Sequence, residues 1–346
     1  MNASTLDASY SSAGPFRIEV MRRLGFTDRQ AEFLAHVLVF SGVFMERQYC
    51  RFAGLTHGRK SVEFLQTLVD RGYARVVAPG KAHSGRFYHL HYKPLYEAIR
   101  QPNSRHRRRV TLGRYIERLM LLDVVLGDTK HCWMGTETDK LGYFRRLDVF
   151  GRKMRDDDFP RVVFGTGDRR TTRYFPDKLP IGISPEYGNR LVFVFLVRQP
   201  SPTEFRIFLA RHAELLSSVF EWTIRIVFPR RFWKAKNLHV WAFRDDLTKQ
   251  LCYSVVEEFR KYLEAKHNPA AITPEARARA LTEGAKRFES VRFQALERVW
   301  LEGGPTDFPQ LYMSTIQEQL RLKRAQIEVM VLPHKYLHLS ALAGVA

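Results

Sequence analysis

Four consecutive residues combine side chains that could contact nucleic acid: His57, Gly58, Arg59 and Lys60. They stand at the beginning of a segment with helical periodicity, where the first-turn N–H groups and the helix dipole favour a phosphate. Gly58 would permit close approach to a backbone, Arg59 can bind a guanine edge with two hydrogen bonds, and Lys60 can neutralise a phosphate. The run therefore predicts contact with DNA, although a solvated helix start has the same composition.

The segment 27–92 contains the elements that would position these side chains. Apolar spacing and capping residues predict three helices, the first with Thr27 as N-cap and the third with Thr56. Their predicted bounds are 27–41, 46–53 and 56–72. Two β-rich runs follow at 74–78 and 86–91, and the loop between them carries Pro, Gly and Lys81, which predicts a hairpin with a basic tip. Three helices followed by a hairpin is the order of a winged helix-turn-helix, whose third helix lies in the major groove.

Basic charge is concentrated around this segment. The 346 residues include 56 Lys or Arg and 36 Asp or Glu, for a formal net charge of +20. Residues 1–110 hold 18 Lys or Arg and only 8 Asp or Glu. Arg86 begins the second hairpin strand, and Arg105, Arg107, Arg108 and Arg109 follow the hairpin in the run QPNSRHRRR. This distribution predicts attraction to a polyanion, with the arginine run acting either as a plain solvated linker or as a source of further phosphate contacts.

Changes in composition, together with polar runs rich in Pro, Asn and Ser, divide the chain into five parts. The expected divisions are a flexible polar leader at 1–14, a winged helix at 15–100, a basic linker at 101–111, an α/β domain at 112–230 and a helical region at 231–346. Cys50, Cys132 and Cys252 are scattered and odd in number, which favours small buried hydrophobes in a reducing compartment. The leader lacks an apolar signal and no apolar run is long enough to span a bilayer, so we expect a cytoplasmic, nucleoid-associated protein without membrane contact.

The region 112–230 predicts alternating helices and strands. A long amphipathic helix at 112–126 is followed by a short strand at 130–135 and a helix of sequence TETDKLGYFRRL capped by Thr136 or Thr138. Strands are predicted at 174–183 and 190–199, the second continuously apolar and therefore covered on both faces. A helix from Pro202 and a strand at 221–228 complete the order expected when a crossover helix joins parallel strands. The whole chain is thus expected to mix α+β and α/β architecture.

This combination resembles a known family. A winged helix, a basic linker, a TETDK helix and a strand carrying Pro176-Asp177 before an apolar strand and helix resemble the replication-relaxation proteins of plasmids and integrative elements. The second domain of that family is similar to the PD-(D/E)xK nuclease fold, and the resemblance covers residues 27–230. It implies that Glu137 stands at the acid of the first helix and Asp177 at the acid of the PD motif.

The residues expected for nuclease chemistry are incomplete. A metal-dependent nuclease needs at least two carboxylates on a divalent cation and a lysine that supports the nucleophile. Every residue of the strand 191–197 is apolar, and Leu196 and Arg198 stand where the second acid and the next polar residue should alternate inward. We therefore predict a nuclease-like scaffold without its chemistry. Asp177 has a plainer interpretation as a turn or salt-bridge residue beside Lys178, and the acidic run 156–158 as a solvated loop.

Other chemistry has little support in the sequence. No phosphate-binding P-loop, dinucleotide fingerprint, zinc-protease helix or nucleophile elbow is present. His89 with His91, and His334 with His338, could each hold a metal, but neither pair has further ligands at a suitable spacing. His89 is expected to touch a phosphate or to pack. We predict neither a metal nor a cofactor.

The last third is predicted to be helical, with helices at 238–265, 274–303 and from 309 toward 327. An apolar surface on the second helix must be covered by the other helices or by a second subunit, and the latter would give a dimer suited to a palindromic site. Its residues are Phe288, Val291, Phe293, Leu296, Val299 and Trp300.

These observations predict a protein that binds double-stranded DNA and acts by occupancy. The expected role is that of a transcriptional regulator, or a replication or transfer accessory factor, of a mobile element or plasmid. One alternative is a divalent-metal DNA nuclease that uses Asp177 and Glu137. Another is a protein-protein adaptor whose winged helix binds a protein and whose charge gives non-specific affinity for nucleic acid.

Overall fold

The computed structural model describes residues 13–77, 86–149, 152–165, 169–185, 190–249, 251–268, 273–303, 310–334 and 336. Across these residues the chain is a mixed α+β protein with thirteen α-helices and several small sheets, as the sequence predicts in outline. Within the same ranges, no helix combines the length and the apolar character needed to cross a bilayer.

The N-terminal region contains five helices and a three-stranded sheet. In chain order its elements are α1 (Pro15–Arg23), α2 (Asp28–Phe40), β1 (Val43–Met45), α3 (Glu46–Ala53), α4 (Arg59–Asp70), β2 (Ala74–Val77), β3 (Phe87–Leu90) and α5 (Lys93–Ala98). Strand β3 lies between β1 and β2 and is antiparallel to both. The three predicted helices and the two hairpin strands are therefore present, and β1 is a third strand that the sequence analysis did not predict.

The turn between α3 and α4 differs from the expectation. Thr56 is not the N-cap of α4, because the helix begins directly after Gly58. The Gly58 N–H donates to Oγ of Ser61 at 3.1 Å, and the Ser61 hydroxyl donates to Oε1 of Glu46 at 2.7 Å. Gly54 ends α3 in the left-handed conformation, with φ of 64°, which glycine adopts without steric cost. The beginning of α4 is thereby attached to the beginning of α3.

The central region begins with a long helix and ends with a parallel strand pair. Its elements are α6 (Leu112–Gly127), β4 (Cys132–Met134), α7 (Glu137–Phe144), β5 (Asp148–Val149), β6 (Arg152–Lys153), β7 (Arg161–Phe164), β8 (Thr171–Tyr174), β9 (Ile181–Ser184), β10 (Arg190–Leu196), α8 (Thr203–Ser218) and β11 (Trp222–Phe228). The predicted TETDK helix is confirmed as α7, and Thr136 is its N-cap because its side chain accepts from the Asp139 N–H.

The C-terminal region has more breaks than predicted and ends in a strand. Its elements are α9 (Lys236–Thr248), α10 (Tyr253–His267), α11 (Pro274–Arg287), α12 (Val291–Leu301), α13 (Gln310–Arg321) and β12 (Ala325–Val331). The prediction of a helical region was therefore wrong for its last segment. Lys323, with φ of 58°, stands between α13 and β12 and turns the chain toward the central sheet.

A five-stranded sheet in the order β12-β11-β10-β9-β4 forms the centre of the molecule. Strands β10, β11 and β12 are parallel, whereas β9 is antiparallel to both β10 and β4. Val192 and Val194 of β10 belong to a core shared with α2 and α6, and Phe193 and Phe195 belong to a second core beneath α8. The predicted burial of this strand on both faces, and the predicted crossover through α8, are confirmed.

The predicted strand 174–183 does not form. Tyr174 ends β8, which pairs with β7 in a separate hairpin, and Ile181 begins β9 in the central sheet. The residues between them make a turn in which Phe175 and Lys178 have φ of 47° and 58°. Pro176 cannot donate to a strand ladder, and the Phe175 ring stacks in an aromatic core instead of continuing a strand. Asp177 therefore lies in a turn and not on a strand.

The apolar surface at α12 is covered within the chain except at Val291, which is 38% exposed, while Phe293 and Trp300 are partly buried. Phe288, Leu296 and Val299 are buried in a core that also contains Phe259 of α10 and Ile207 of α8. This is the intramolecular alternative that the sequence left open. A homodimer through these side chains would have to displace α8 and α10.

The segment 101–111 is packed against its neighbours. Residues Arg105–Arg107 form a 3-10 turn in which His106 is buried. The His106 carbonyl accepts from Nε2 of His89 in β3 at 2.8 Å and from the Arg118 guanidinium of α6 at 3.4 Å. Gly42, with φ of 70°, faces this turn so closely that a Cβ there would lie 2.6 Å from the carbonyl oxygen of His106. The segment thus ties the N-terminal sheet to α6.

Candidate nucleic-acid interface

The start of α4 presents its cations to solvent, as the sequence predicts. The Arg59 side chain is 91% exposed and its Nε is 2.6 Å from Oε1 of Glu63, one helical turn later. Exposed pairs of this kind are weak because water screens them and the side chains must be ordered. The Arg59 guanidinium can therefore exchange Glu63 for a phosphate or a base edge at little cost.

His57 has a structural partner. Its Nδ1 lies 2.7 Å from Oε1 of Glu46, the carboxylate that also accepts from the Ser61 hydroxyl. The imidazole is 75% exposed, so its other edge faces solvent. His57 thus helps to attach α4 to α3 and can still contact an external group.

A groove of about 1160 Å³ runs between α3, α4 and the hairpin of β2 and β3. Val62 of α4 and Val76 of β2 line it and are 50% and 43% exposed, so the groove contains accessible apolar surface. Arginines from both sides also line it, and one of them, Arg86, is a predicted site residue. The groove therefore combines apolar side chains with cations that can reach a ligand along its length.

Two further arginines of this groove were not predicted from the sequence. Arg47 and Arg51 both lie on α3 and line the groove. Their spacing of four residues places them on one helix face, which is the signal that could have identified them. Arg47 forms two hydrogen bonds to the buried carboxylate of Asp123, at 2.9 and 2.7 Å, whereas Arg51 is exposed. Arg51 is therefore the better placed of the two for an external anion.

Lys60 lies on the opposite side of α4. It lines a separate depression together with Arg29, Arg71 and Glu63. Arg29 donates to the Ala53 carbonyl at 2.6 Å and Arg71 donates to the Leu24 carbonyl at 2.9 Å, so both guanidinium groups have a structural role. The structure thus brings His57 and Arg86 together in the groove but does not bring Lys60 to them. Lys81, in the hairpin loop, lies outside the described residues.

The arginine run after the hairpin is divided among several environments. Arg108 and Arg109 are exposed, Arg107 is half-buried, and Arg105 turns toward a polar cavity. Burial, together with Arg118 and Arg114, lowers the pKa of Arg105 to about 10. The run is therefore not a uniform row of phosphate contacts. Arg108 and Arg109 are its two members on the outer surface.

Among the described residues, which include His89 and His91, no group of three or more His, Cys, Asp or Glu could hold a metal ion. His89 is buried, and its Nδ1 lies 2.7 Å from the Arg75 guanidinium and its Nε2 2.8 Å from the His106 carbonyl. Burial lowers the pKa of His89 to about 4, so the ring is neutral at pH 7. His89 packs, which was one of its two predicted roles. His338 lies outside the described residues.

The two acids implied by the nuclease resemblance make local contacts. Oε1 of Glu137 accepts from the Tyr174 N–H at 3.2 Å, and Oδ1 of Asp177 accepts from the Leu179 N–H at 3.0 Å. The other Asp177 oxygen is 3.3 Å from Nε2 of His212, in an alignment too poor for a hydrogen bond. Burial lowers the pKa of His212 to about 4, so this contact does not join two charges at pH 7. Asp177 thus has the turn role expected as its plainer interpretation.

The acidic run 156–158 is more ordered than the predicted solvated loop. It forms a 3-10 turn in which Asp158 is buried and accepts from the Arg155 N–H at 2.7 Å. Asp156 accepts two hydrogen bonds from the Arg145 guanidinium at 2.8 and 2.7 Å. These carboxylates are engaged in holding the turn to α7.

Lys140 is a polar residue of the central region that the sequence analysis missed. It lies on α7, is 1% exposed, and donates from Nζ to the Leu179 carbonyl at 2.5 Å. Its ammonium also stands 5.1 Å from the centroid of the Phe175 ring. Burial lowers the pKa of Lys140 to about 8. A lysine on an amphipathic helix is normally exposed, so a single sequence carries no signal for this position.

Comparisons with known proteins identify no relative of this chain. No protein-family model, no curated protein and no solved structure matches it.

Proposed function

We propose that residues 13–98 form a winged helix-turn-helix that binds double-stranded DNA. The order of α2, α3 and α4 followed by the hairpin supports this, and so does the short β1 that pairs with the hairpin. In such an arrangement the start of α4 enters the major groove and the hairpin contacts the adjoining backbone. The net charge of +20 supplies the long-range attraction to DNA.

The groove between α3, α4 and the hairpin is the observation that carries this proposal. Arg51 and Arg86 stand on its two sides, and exposed Arg59 stands at the start of the same helix that forms one wall. A DNA backbone lying across these elements would meet cations from three of them. The resemblance of the sequence to the replication-relaxation proteins would imply the same use.

We infer that the protein acts by occupancy, as a regulator or as a replication or transfer accessory factor of a mobile element, in the cytoplasm. The apolar and buried residues of β10 and the turn role of Asp177 support a scaffold function for the central sheet. Binding to DNA alone would then be the biochemical activity, with the central and C-terminal regions holding the N-terminal elements in place.

One observation favours a second candidate, a protein-protein adaptor. Val62 and Val76 expose apolar surface in the groove, and an amphipathic peptide helix could bury it. In that case the surrounding arginines would recognise acidic residues of the peptide. The two candidates share the groove but differ in whether Arg59 determines binding to DNA.

Fluorescence anisotropy with duplex DNA from the gene's own neighbourhood and with a scrambled duplex tests the proposal. Arg59→Ala should weaken binding to the first duplex by about tenfold or more, because one bidentate base contact discriminates at that level. Arg279→Ala is the matched control, since Arg279 is 80% exposed and pairs with Glu283 one turn later at 2.9 Å, far along the chain on α11. It removes the same charge and the same kind of ion pair.

The salt dependence provides a second readout. Replacing Arg51 and Arg86 by alanine should reduce the log-log salt slope by about 2, because each phosphate contact contributes about 0.9. Equal losses in Arg59→Ala and Arg279→Ala, with an unchanged slope in the double variant, would refute the proposed surface and favour the adaptor. DNA cut in the presence of magnesium would favour the nuclease.

A further inference from the structure

A polar cavity of about 280 Å³ lies where three segments of the fold meet. One wall is the turn 100–106 after the N-terminal region, another is the start of α7, and the third is the turn that carries Phe175 and Lys178. Its volume is near the lower end of the range found for small-molecule sites. It lies apart from the groove of α3 and α4 and shares no lining residue with it.

Positive charge dominates the described lining of this cavity. Four of its side chains are cationic, namely Arg100, Arg105, Lys140 and Lys178, and Glu137 is its one acid. Glu137 is exposed and its Oε1 accepts from the Tyr174 N–H, so it stands at the rim. His106 also lines the cavity, but burial and the neighbouring Arg105 hold its pKa well below the ordinary value. The cavity is therefore suited to an anion.

The two cations inside the cavity form no salt bridge with a described residue, although the Asp177 carboxylate interacts electrostatically with both of them. Lys140 uses one N–H for the Leu179 carbonyl, and no salt bridge joins it to a described carboxylate. Arg105 forms neither a side-chain hydrogen bond nor a salt bridge with another described residue, although five N–H groups are available on its guanidinium. Lys140 is buried and Arg105 is half-buried, and each keeps N–H groups that no described carboxylate accepts, so these donors are available to an external anion.

The backbone around the cavity is strained in a way that supports a binding role. Four non-glycine residues of the described chain have positive φ, and three of them line this cavity: Arg100 at 59°, Phe175 at 47° and Lys178 at 58°. Such conformations persist where the surrounding structure enforces them, and they are concentrated at ligand sites. Here they hold two of the four cations at the cavity.

We infer that this cavity binds a phosphate monoester group, held by Arg105 and Lys140 inside and by Arg100 and Lys178 at the opening. A dianionic phosphate offers three terminal oxygens, which matches the convergence of several charged donors. The first turn of α7, at Glu137 and Thr138, also lines the cavity, and its N–H groups add a favourable field for the same anion. The phosphate could belong to a free nucleotide or to the 5′ end of a DNA strand.

Titration calorimetry of the full-length protein tests the site with three probes: a nucleoside 5′-monophosphate, a 5′-phosphorylated oligonucleotide and the same oligonucleotide with a 5′-hydroxyl. We expect the monophosphate to bind and the 5′-phosphate to bind more tightly than the 5′-hydroxyl. Arg105→Gln should weaken phosphate binding at least about tenfold, because it removes a charge-assisted contact. Arg279→Gln, at an 80% exposed arginine of α11 outside both proposed surfaces, is the control and should bind as the parent does.

The source of the phosphate follows from the relative affinities. A 5′-phosphorylated strand that binds much more tightly than the monophosphate would identify a DNA end, whereas equal affinities would identify a free nucleotide. No binding of either phosphate probe, or equal losses in Arg105→Gln and Arg279→Gln, would overturn the inference. Circular dichroism melting of both variants establishes that they are folded.

The proposal of this phosphate site and the proposal of the DNA-binding surface can be refuted independently of each other. Arg105→Gln should leave the affinity for an internal duplex without terminal phosphates unchanged, and Arg59→Ala should leave monophosphate binding unchanged. If Arg59→Ala alone has no effect, the DNA surface is wrong and the cavity is unaffected.

Discussion

The buried lysine of α7 should make the stability of this protein depend on pH in an unusual direction. Lys140 is 1% exposed, and burial lowers its pKa from 10.5 to about 8 in the folded chain. Below pH 8 the lysine is protonated in both the folded and the unfolded state, so the folded state carries the full cost of an enclosed charge. Above pH 10.5 it is neutral in both states and the cost disappears. Stability should therefore rise with pH between these values.

The magnitude follows from the difference between the two pKa values. At about 1.4 kcal/mol per pKa unit, the cost of the charged lysine is about 3 kcal/mol at pH 7. About 2 kcal/mol of this should be recovered by pH 9.5, where the folded state has lost the proton and the unfolded state has not. Lys140→Met keeps a similar volume but removes both the charge and the hydrogen bond to the Leu179 carbonyl. The loss of the hydrogen bond adds a cost that does not depend on the protonation of Lys140, whereas the free energy of unfolding of the parent should rise by about 2 kcal/mol relative to that of the variant between pH 7 and pH 9.5.

Urea unfolding of parent and variant at pH 7 and pH 9.5 measures this difference, in a buffer without phosphate. Lys93→Met, on an exposed lysine of α5, is the control and should show a difference that does not change with pH. The charged or titratable groups around the ammonium are Asp177, Lys178, Arg105, Glu137, Asp139 and His212. Because Arg105 titrates near pH 10, the comparison stops at 9.5. A stability difference between Lys140→Met and the parent that is the same at both pH values would refute the reasoning.

Two further predictions concern the linking turn and the acid of the PD motif. Gly42→Ala should lower the free energy of unfolding, measured in urea, by more than about 2 kcal/mol, because the new Cβ combines a positive φ with overlap against His106. Gly54→Ala, which has a similar φ and nothing within 4 Å, should lower it by about 1 kcal/mol. Equal losses in the two variants would mean that the turn at His106 moves away from the new methyl group. Asp177→Ala should leave duplex binding unchanged, and magnesium should leave the DNA uncut by parent and variant alike. Cleavage by the parent that the variant lacks would restore the nuclease interpretation.

The parts of the fold that the sequence predicts are those specified by local patterns. Helix α2 follows from apolar periodicity, strand β10 from its continuous apolar run, and α7 from Thr136 as N-cap. Strands β1 and β12 could not be predicted this way. Strand β1 has only three residues, too few to show a periodic pattern, and β12 forms because it pairs in parallel with β11, which is distant in sequence. The false strand at 174–183 shows the same limit. Its β-rich composition is real, but Pro176 and the burial of Phe175 divide it between two sheets.

The candidate site was predictable only where a side chain acts through its position on one element. Arg59 is exposed at a helix start because local sequence places it there. Arg51 and Arg86 meet in a groove that exists only after α3 has packed beside the hairpin, and nothing near either residue indicates the other. The cavity is more remote from the sequence, since Arg105 and Lys140 come from segments that the pattern assigned to a linker and to an amphipathic helix. Tertiary packing decides which cations become enclosed.

The N-terminal region cannot be treated as an independent module, because its core and its groove both depend on the rest of the chain. Leu34 of α2 lies in the same apolar core as Met120 of α6 and Val194 of β10. In the groove, Arg47 is held by the Asp123 carboxylate of α6, which also accepts from the hydroxyl of Tyr336 near the C-terminus. A fragment ending at residue 98 would expose that core and release Arg47. Weak DNA binding by such a fragment would therefore say nothing against the groove, and binding must be measured on the full chain.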